Sequence, residues 1–175
     1  MSENLGMSFE IVLEPSQVEK VTNFYRIYFP EELKRLADEK RTNFDRVAEF
    51  HEVYGCTIGD ADSPGWPTAF EPSLRLKLVT EEYNELKEAI EEGMSLDQIA
   101  KELADLLYVV YGTGVAMGID LDECLKRVHE SNMSKLGDDD KPIFNSYGKV
   151  MKGENYRPPD LTDIVNGTRK TRSQD

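Results

Sequence analysis

Residues 73–117 read as two amphipathic helices joined by a very short break, and this pair constrains the chain more than any other stretch. Val79, Tyr83, Leu86 and Ile90 recur at three- and four-residue spacing in the first; Ile99, Leu103, Leu106, Leu107 and Val110 do so in the second. Gly93 closes one helix, and Ser95 with Gln98 three residues on opens the next as a capping box. Packing the two apolar stripes against each other removes both from water.

Each stripe carries acids along its flank. Glu82 and Glu85 are three apart on the first helix, Glu102 and Asp105 three apart on the second. Positions three apart share a helical face, so the packed pair brings four carboxylates towards one edge of the core. Glu-x-x-Glu alone is also what a solvated helix face looks like. Asp105 is harder to read that way, because Asp is a poor helix former and this one interrupts a strongly apolar run. Two like charges about 4 Å apart repel by roughly 4 kcal/mol at an effective dielectric near 20. A cation removes that repulsion, and carboxylate oxygens suit a hard ion such as Mg²⁺ or Mn²⁺.

The rest of the composition narrows the function classes. A net charge of −13 argues against non-specific binding to nucleic acid or to an anionic membrane surface. It leaves room for a nucleotide whose phosphates are reached through a metal. Cys56 and Cys124 form no metal-ligand spacing and read as free thiols of a reducing compartment. With no long apolar run and no basic-then-apolar leader, the chain reads as a cytoplasmic protein that makes no membrane contact.

Taken in order, residues 1–40 read as a helical N-terminal extension, with a helix beginning at a Ser16–Glu19 capping box and running to Tyr28, and further helical turns over Glu31–Lys40. Thr42–Tyr54 reads as a helix with Phe44, Val47, Phe50 and Val53 or Tyr54 on one face, ended by Gly55. His51 lies beside that face and reads as a packing or surface residue. Residues 55–72 are a loop rich in glycine and proline, with Trp66 and Phe70 expected to anchor it. Ser73 is the expected cap of the first acidic helix. Gly112 and Gly114, inside the second, indicate close approach of a neighbouring helix or subunit. Asp120 caps a third helix ending near Lys135. An irregular basic segment follows, with Lys149, Lys152 and Arg157, and residues 166–175 read as a disordered tail. The segment is either a loop that neutralises acidic surface or a flap that grips phosphate.

The acid pattern, Glu81-Glu82-x-x-Glu85 and then Glu102-x-x-Asp105, resembles the signature of the MazG-like all-α nucleoside triphosphate pyrophosphohydrolases. That superfamily includes MazG, phosphoribosyl-ATP pyrophosphohydrolases and dimeric dUTPases. Further stretches fit the same order: Ala48-Glu49-Phe50-His51, His129-Glu130-Ser131-Asn132-Met133-Ser134-Lys135, Gly148-Lys149-Val150 and Tyr156-Arg157-Pro158-Pro159-Asp160. The resemblance spans about residues 43–165 and looks strongest towards the branch with dUTPase-type members.

The resemblance implies an all-α helical bundle over residues 41–165 that assembles as a homodimer or homotetramer. It implies Mg²⁺- or Mn²⁺-dependent cleavage between the α- and β-phosphates, releasing a monophosphate and pyrophosphate. Glu82, Glu85, Glu102 and Asp105 match the family's metal ligands. Glu81 orients or deprotonates the attacking water, or exchanges that role with Glu82. Tyr108, Asn132, Lys135 and Lys149 are the candidate substrate contacts. The expected substrate is dUTP, with other deoxynucleotides next. Phosphoribosyl-ATP is the enzymatic alternative, and an acidic helical interaction module the non-enzymatic one.

Overall fold

The structure is a computed structural model and describes Glu31, Arg35, residues 38–137 and residues 139–167. The expected helix over 16–28 and most of the expected tail lie outside the described residues. The chain divides into two units, Met1–Arg41 and Thr42–Asp175. In the first, Glu31, Arg35, Asp38 and Glu39 are helical, and Arg35 pairs with Glu39 one turn on.

The second unit carries five helices: α1 Asn43–Tyr54, α2 Glu71–Glu91, α3 Leu96–Met117, α4 Leu121–Met133 and the short α5 Thr162–Val165. Among the described residues there is no strand, only one antiparallel bridge between Phe144 and Val150. The fold is all-α, as the helical periodicity predicts.

The caps explain most boundaries. Thr42 Oγ1 accepts from the Asp45 amide at 3.1 Å and Asp45 Oδ2 accepts from the Thr42 amide at 2.9 Å, opening α1. Gly55, at φ 65°, ends it. At the start of α3, Gln98 Oε1 accepts from both the amide and the hydroxyl of Ser95, at 3.2 and 2.7 Å. Asp120 opens α4 by accepting from the Asp122 and Glu123 amides at 3.1 and 3.2 Å. The expectation for α2 needs correcting. It starts at Glu71, not after Ser73, because Pro72 suits a first helical turn and Thr68 Oγ1 already accepts from the Glu71 amide at 3.2 Å.

Helices α1 and α2 both pack on α3. Val47, Tyr111 and Val115 form the buried centre, flanked by Phe44, Ala48 and Leu121. Asp122 ties three helices together there: the Tyr111 hydroxyl donates to one carboxylate oxygen at 2.8 Å and the Phe44 amide to the other at 3.0 Å.

Beside this centre lies a buried polar layer. Arg75 Nε donates to Glu71 Oε1 at 2.6 Å, and the Thr57 hydroxyl donates to Glu71 Oε2 at 2.9 Å. His51, only 3% exposed, holds its Nδ1 2.6 Å from the Thr57 carbonyl. A carbonyl accepts only, so Nδ1 carries the proton. Burial is the main cause that lowers the His51 pKa, which keeps the ring neutral beside Arg75.

The helical glycines stand where neighbouring helices approach, as their sequence positions indicate. A methyl on Gly112 would meet His51 Nε2 at 3.1 Å, and one on Gly114 would meet the Leu121 side chain at 2.6 Å. Both glycines make room for side chains of their own chain. The loop after α1 differs from expectation. Trp66 and Phe70 are 44% and 69% exposed and do not anchor it. Backbone does: the Gly59 amide donates to the Val115 carbonyl at 2.8 Å and the Gly65 amide to the Met117 carbonyl at 2.9 Å. A methyl on Gly59 would lie 2.3 Å from the Gly118 nitrogen.

Much of the expected stripe along α2 and α3 stays open. Tyr83, Ile90, Leu103 and Leu107 are each at least half exposed. Among the described residues no single helix is long and apolar enough to cross a membrane.

Candidate active site

One ligand oxygen from each of Glu82, Glu102 and Asp105 lies within 4.8 Å of the other two. Glu82 comes from the middle of α2, Glu102 and Asp105 from the first half of α3. The convergence follows from the helix periods: acids on the facing flanks of two packed helices meet at the edge of the contact. All three are partly buried.

The electrostatics show the strain of that arrangement. Burial, then the charges of Glu85 and Asp105, raise the Glu82 pKa above its ordinary value. Glu85 itself is exposed and stands outside the group of three, one helical turn beyond Glu82. Lys101 supplies the local counter-charge. Its Nζ lies 2.8 Å from Asp105 Oδ2 and 3.1 Å from Glu102 Oε2. Those hydrogen bonds, the one to Asp105 first, hold the ammonium in its charged form. Sequence reasoning missed Lys101, although its place immediately before Glu102 and four residues before Asp105 was a visible signal.

The donor set suits a divalent metal ion: oxygen only, three carboxylates, two helices holding them in place, with Glu85 close enough to act on the same field.

Glu81 points into a different contact, 3.7 Å from Lys77 on the same helix. Tyr108, one turn past Asp105, packs edge-on against Phe50 with ring centroids 5.6 Å apart, and Phe50 lies 4.4 Å from Tyr54. These three rings, 39%, 39% and 70% exposed for Tyr108, Phe50 and Tyr54, form an open aromatic surface. The sequence marked Tyr108 but not its partners, since Phe50 and Tyr54 read only as one face of α1. Asn132 and Lys135 sit at the far end of α4, and Lys149 on the hairpin-like turn around Gly148, its amide donating to Asn145 Oδ1 at 2.9 Å. Among the described residues no hydrogen bond or ion pair joins these three side chains to the carboxylates.

A helical hairpin whose two arms present converging carboxylates defines an all-α, MazG-like class of protein. Residues 47–132 match the family described as phosphoribosyl-ATP pyrophosphohydrolase. The chain is also similar to an uncharacterized protein of Acanthamoeba polyphaga mimivirus, at 38% identity over 125 residues, which cover 65% of this chain and 48% of the relative. The chain thus spans about half the length of the curated relative it matches.

Proposed function

We propose that the chain is a metal-dependent nucleoside triphosphate pyrophosphohydrolase that cuts between the α- and β-phosphates, with dUTP as the favoured substrate. The observation that carries this reading is the convergence of Glu82, Glu102 and Asp105 within 4.8 Å. The match of residues 47–132 to a pyrophosphohydrolase family supports it.

Glu82, Glu102 and Asp105 hold Mg²⁺ or Mn²⁺, with Glu85 as a fourth ligand from the next turn of α2. When bound, the ion neutralises phosphate charge, polarises the phosphoryl oxygens and lowers the pKa of water. The chain's own groups supply position and proton transfer. Glu81 or Glu82 orients the attacking water and takes its proton. Tyr108, with Phe50 and Tyr54 beside it, offers a face on which a base stacks. Asn132, Lys135 and Lys149 are contacts for sugar and phosphate. The open apolar row on α2 and α3 is covered by a second copy of the chain, giving a homo-oligomer. The setting is the cytoplasm, and the role is control of the nucleotide pool.

The test is turnover of a nucleotide panel with Mg²⁺ and then Mn²⁺, resolving pyrophosphate from orthophosphate. Phosphoribosyl-ATP belongs in the panel because the matching family bears its name. The expected result is dUMP and pyrophosphate from dUTP, lost in Asp105→Asn with the helical content unchanged. No release from any nucleotide with either ion would overturn the reading.

A further inference from the structure

Beyond α4 the chain turns back, and residues 153–163 run along that helix as a strap. It is fixed at several points. The Gly153 amide donates to the Lys135 carbonyl at 3.1 Å, and a methyl on Gly153 would stand 2.2 Å from the Leu136 oxygen, so backbone is pressed against backbone. Ser134 Oγ accepts from the Arg157 amide at 2.8 Å, and Ser131 Oγ donates to the Arg157 carbonyl at 2.7 Å. Farther on, Asp163 grips Arg127 through both carboxylate oxygens, while Arg127 Nε also donates to Glu123 at 3.1 Å.

These anchors hold Lys135, Lys152 and Tyr156 in one corner. Lys152 Nζ lies 4.2 Å from the centroid of the Tyr156 ring. The Gly153 amide bond to the Lys135 carbonyl brings Lys135 to the same corner, and Ser131 first, then Lys152 and Lys135, lower the Tyr156 pKa. Among the described residues neither Lys135 nor Lys152 forms an ion pair with a carboxylate, nor do Lys40 and Lys149, whereas Lys77, Lys87, Lys101, Lys126 and Lys141 all do. In a chain with 34 acids against 21 bases, the strap brings two lysines without an acid partner to one corner, Lys152 beside Gly153 and Lys135 under the Gly153 amide. Like charges held together repel, and an anion between them reverses the sign of that interaction.

We propose that Lys135, Lys152 and the Tyr156 hydroxyl form a phosphoanion site that takes the phosphate chain of a nucleotide. The assignment rests on the nucleotide reading above and extends it to Lys152 and Tyr156, which that reading does not use. Two ammonium groups act as point charges on phosphate oxygens, and the phenol donates a hydrogen bond. Because the corner is tied down by backbone contacts, little order is lost on binding.

The probe is inorganic tripolyphosphate, titrated calorimetrically into the full chain in EDTA, so that the carboxylates hold no metal. Saturable binding is expected, weakened about tenfold by Lys152→Ala and by Lys135→Ala. Tyr156→Phe keeps the ring under Lys152 and removes only the hydroxyl; it weakens binding by a smaller factor. Lys87→Ala removes the same charge from a lysine paired with Glu91 and leaves binding unchanged. Pyrophosphate binds and deoxyuridine does not, since the phosphates are what the corner reads. Absence of saturable binding by the wild type, or equal weakening by Lys87→Ala, would overturn the proposal. Tripolyphosphate binding in a chain that turns over no nucleotide would instead leave the corner standing and remove the enzymatic reading.

Discussion

Glu82 is half of a compromise between folding and ligand binding. Burial, then Glu85 and Asp105, hold its pKa above the ordinary value. A carboxyl raised in the folded state favours folding while protonated, and that contribution is lost as pH rises from the unfolded value near 4.5 through the higher folded value. At pH 7 in EDTA the charged form therefore opposes the fold. Glu82→Gln is expected to raise Tm by about 1–2 °C under those conditions, a small effect because the group is partly solvated. Adding Mg²⁺ or Mn²⁺ should raise the wild-type Tm and leave the variant where it was. A variant that melts lower than wild type in EDTA would show that Glu82 is a structural acid. The three converging residues were legible in the sequence because helical spacing alone places them. Lys101 was not weighed, since a lysine beside a glutamate on a helix is ordinary surface chemistry until both of its carboxylates are seen to meet it.

At the scale of elements, the helical hairpin was readable from its punctuation: Gly93, the Ser95–Gln98 cap and Gly118 mark its turns in residue types whose physics is local. The buried layer was not. His51, Thr57, Glu71 and Arg75 come from α1, a loop and α2, and no period links them; each looked like an ordinary polar residue of its own segment. The strap was half legible. Its charge and its prolines showed that it is irregular and basic, but its attachment depends on Arg127 and Asp163, which are 36 residues apart. Asp163→Ala is expected to free the strap, so that trypsin cuts after Lys152 several times faster while the helical circular dichroism signal stays constant. Unchanged cleavage would mean that Ser131, Ser134 and Gly153 hold the strap without that pair.

For the molecule as a whole, the size of the core matters. Val115 is the large side chain buried most completely among the described residues, while Tyr83, Ile90, Leu103 and Leu107 stay open to solvent on the two longest helices. A second copy set against that surface would finish the burial that one chain begins. Leu103→Glu together with Leu107→Glu is expected to give a species of half the wild-type mass or less in sedimentation equilibrium, with a lower Tm. A wild type already monomeric at micromolar concentration would remove the assembly. The loop between α1 and α2 has another bearing on the whole. Most of its side chains beyond Thr57 face water, yet the amides of Gly59 and Gly65 close on carbonyls at the end of α3 that no helical amide follows. The loop and the helix end therefore share one set of bonds and open together as a single cooperative step, so the segment that looks most like a surface appendage is as slow to come loose as the helix it caps.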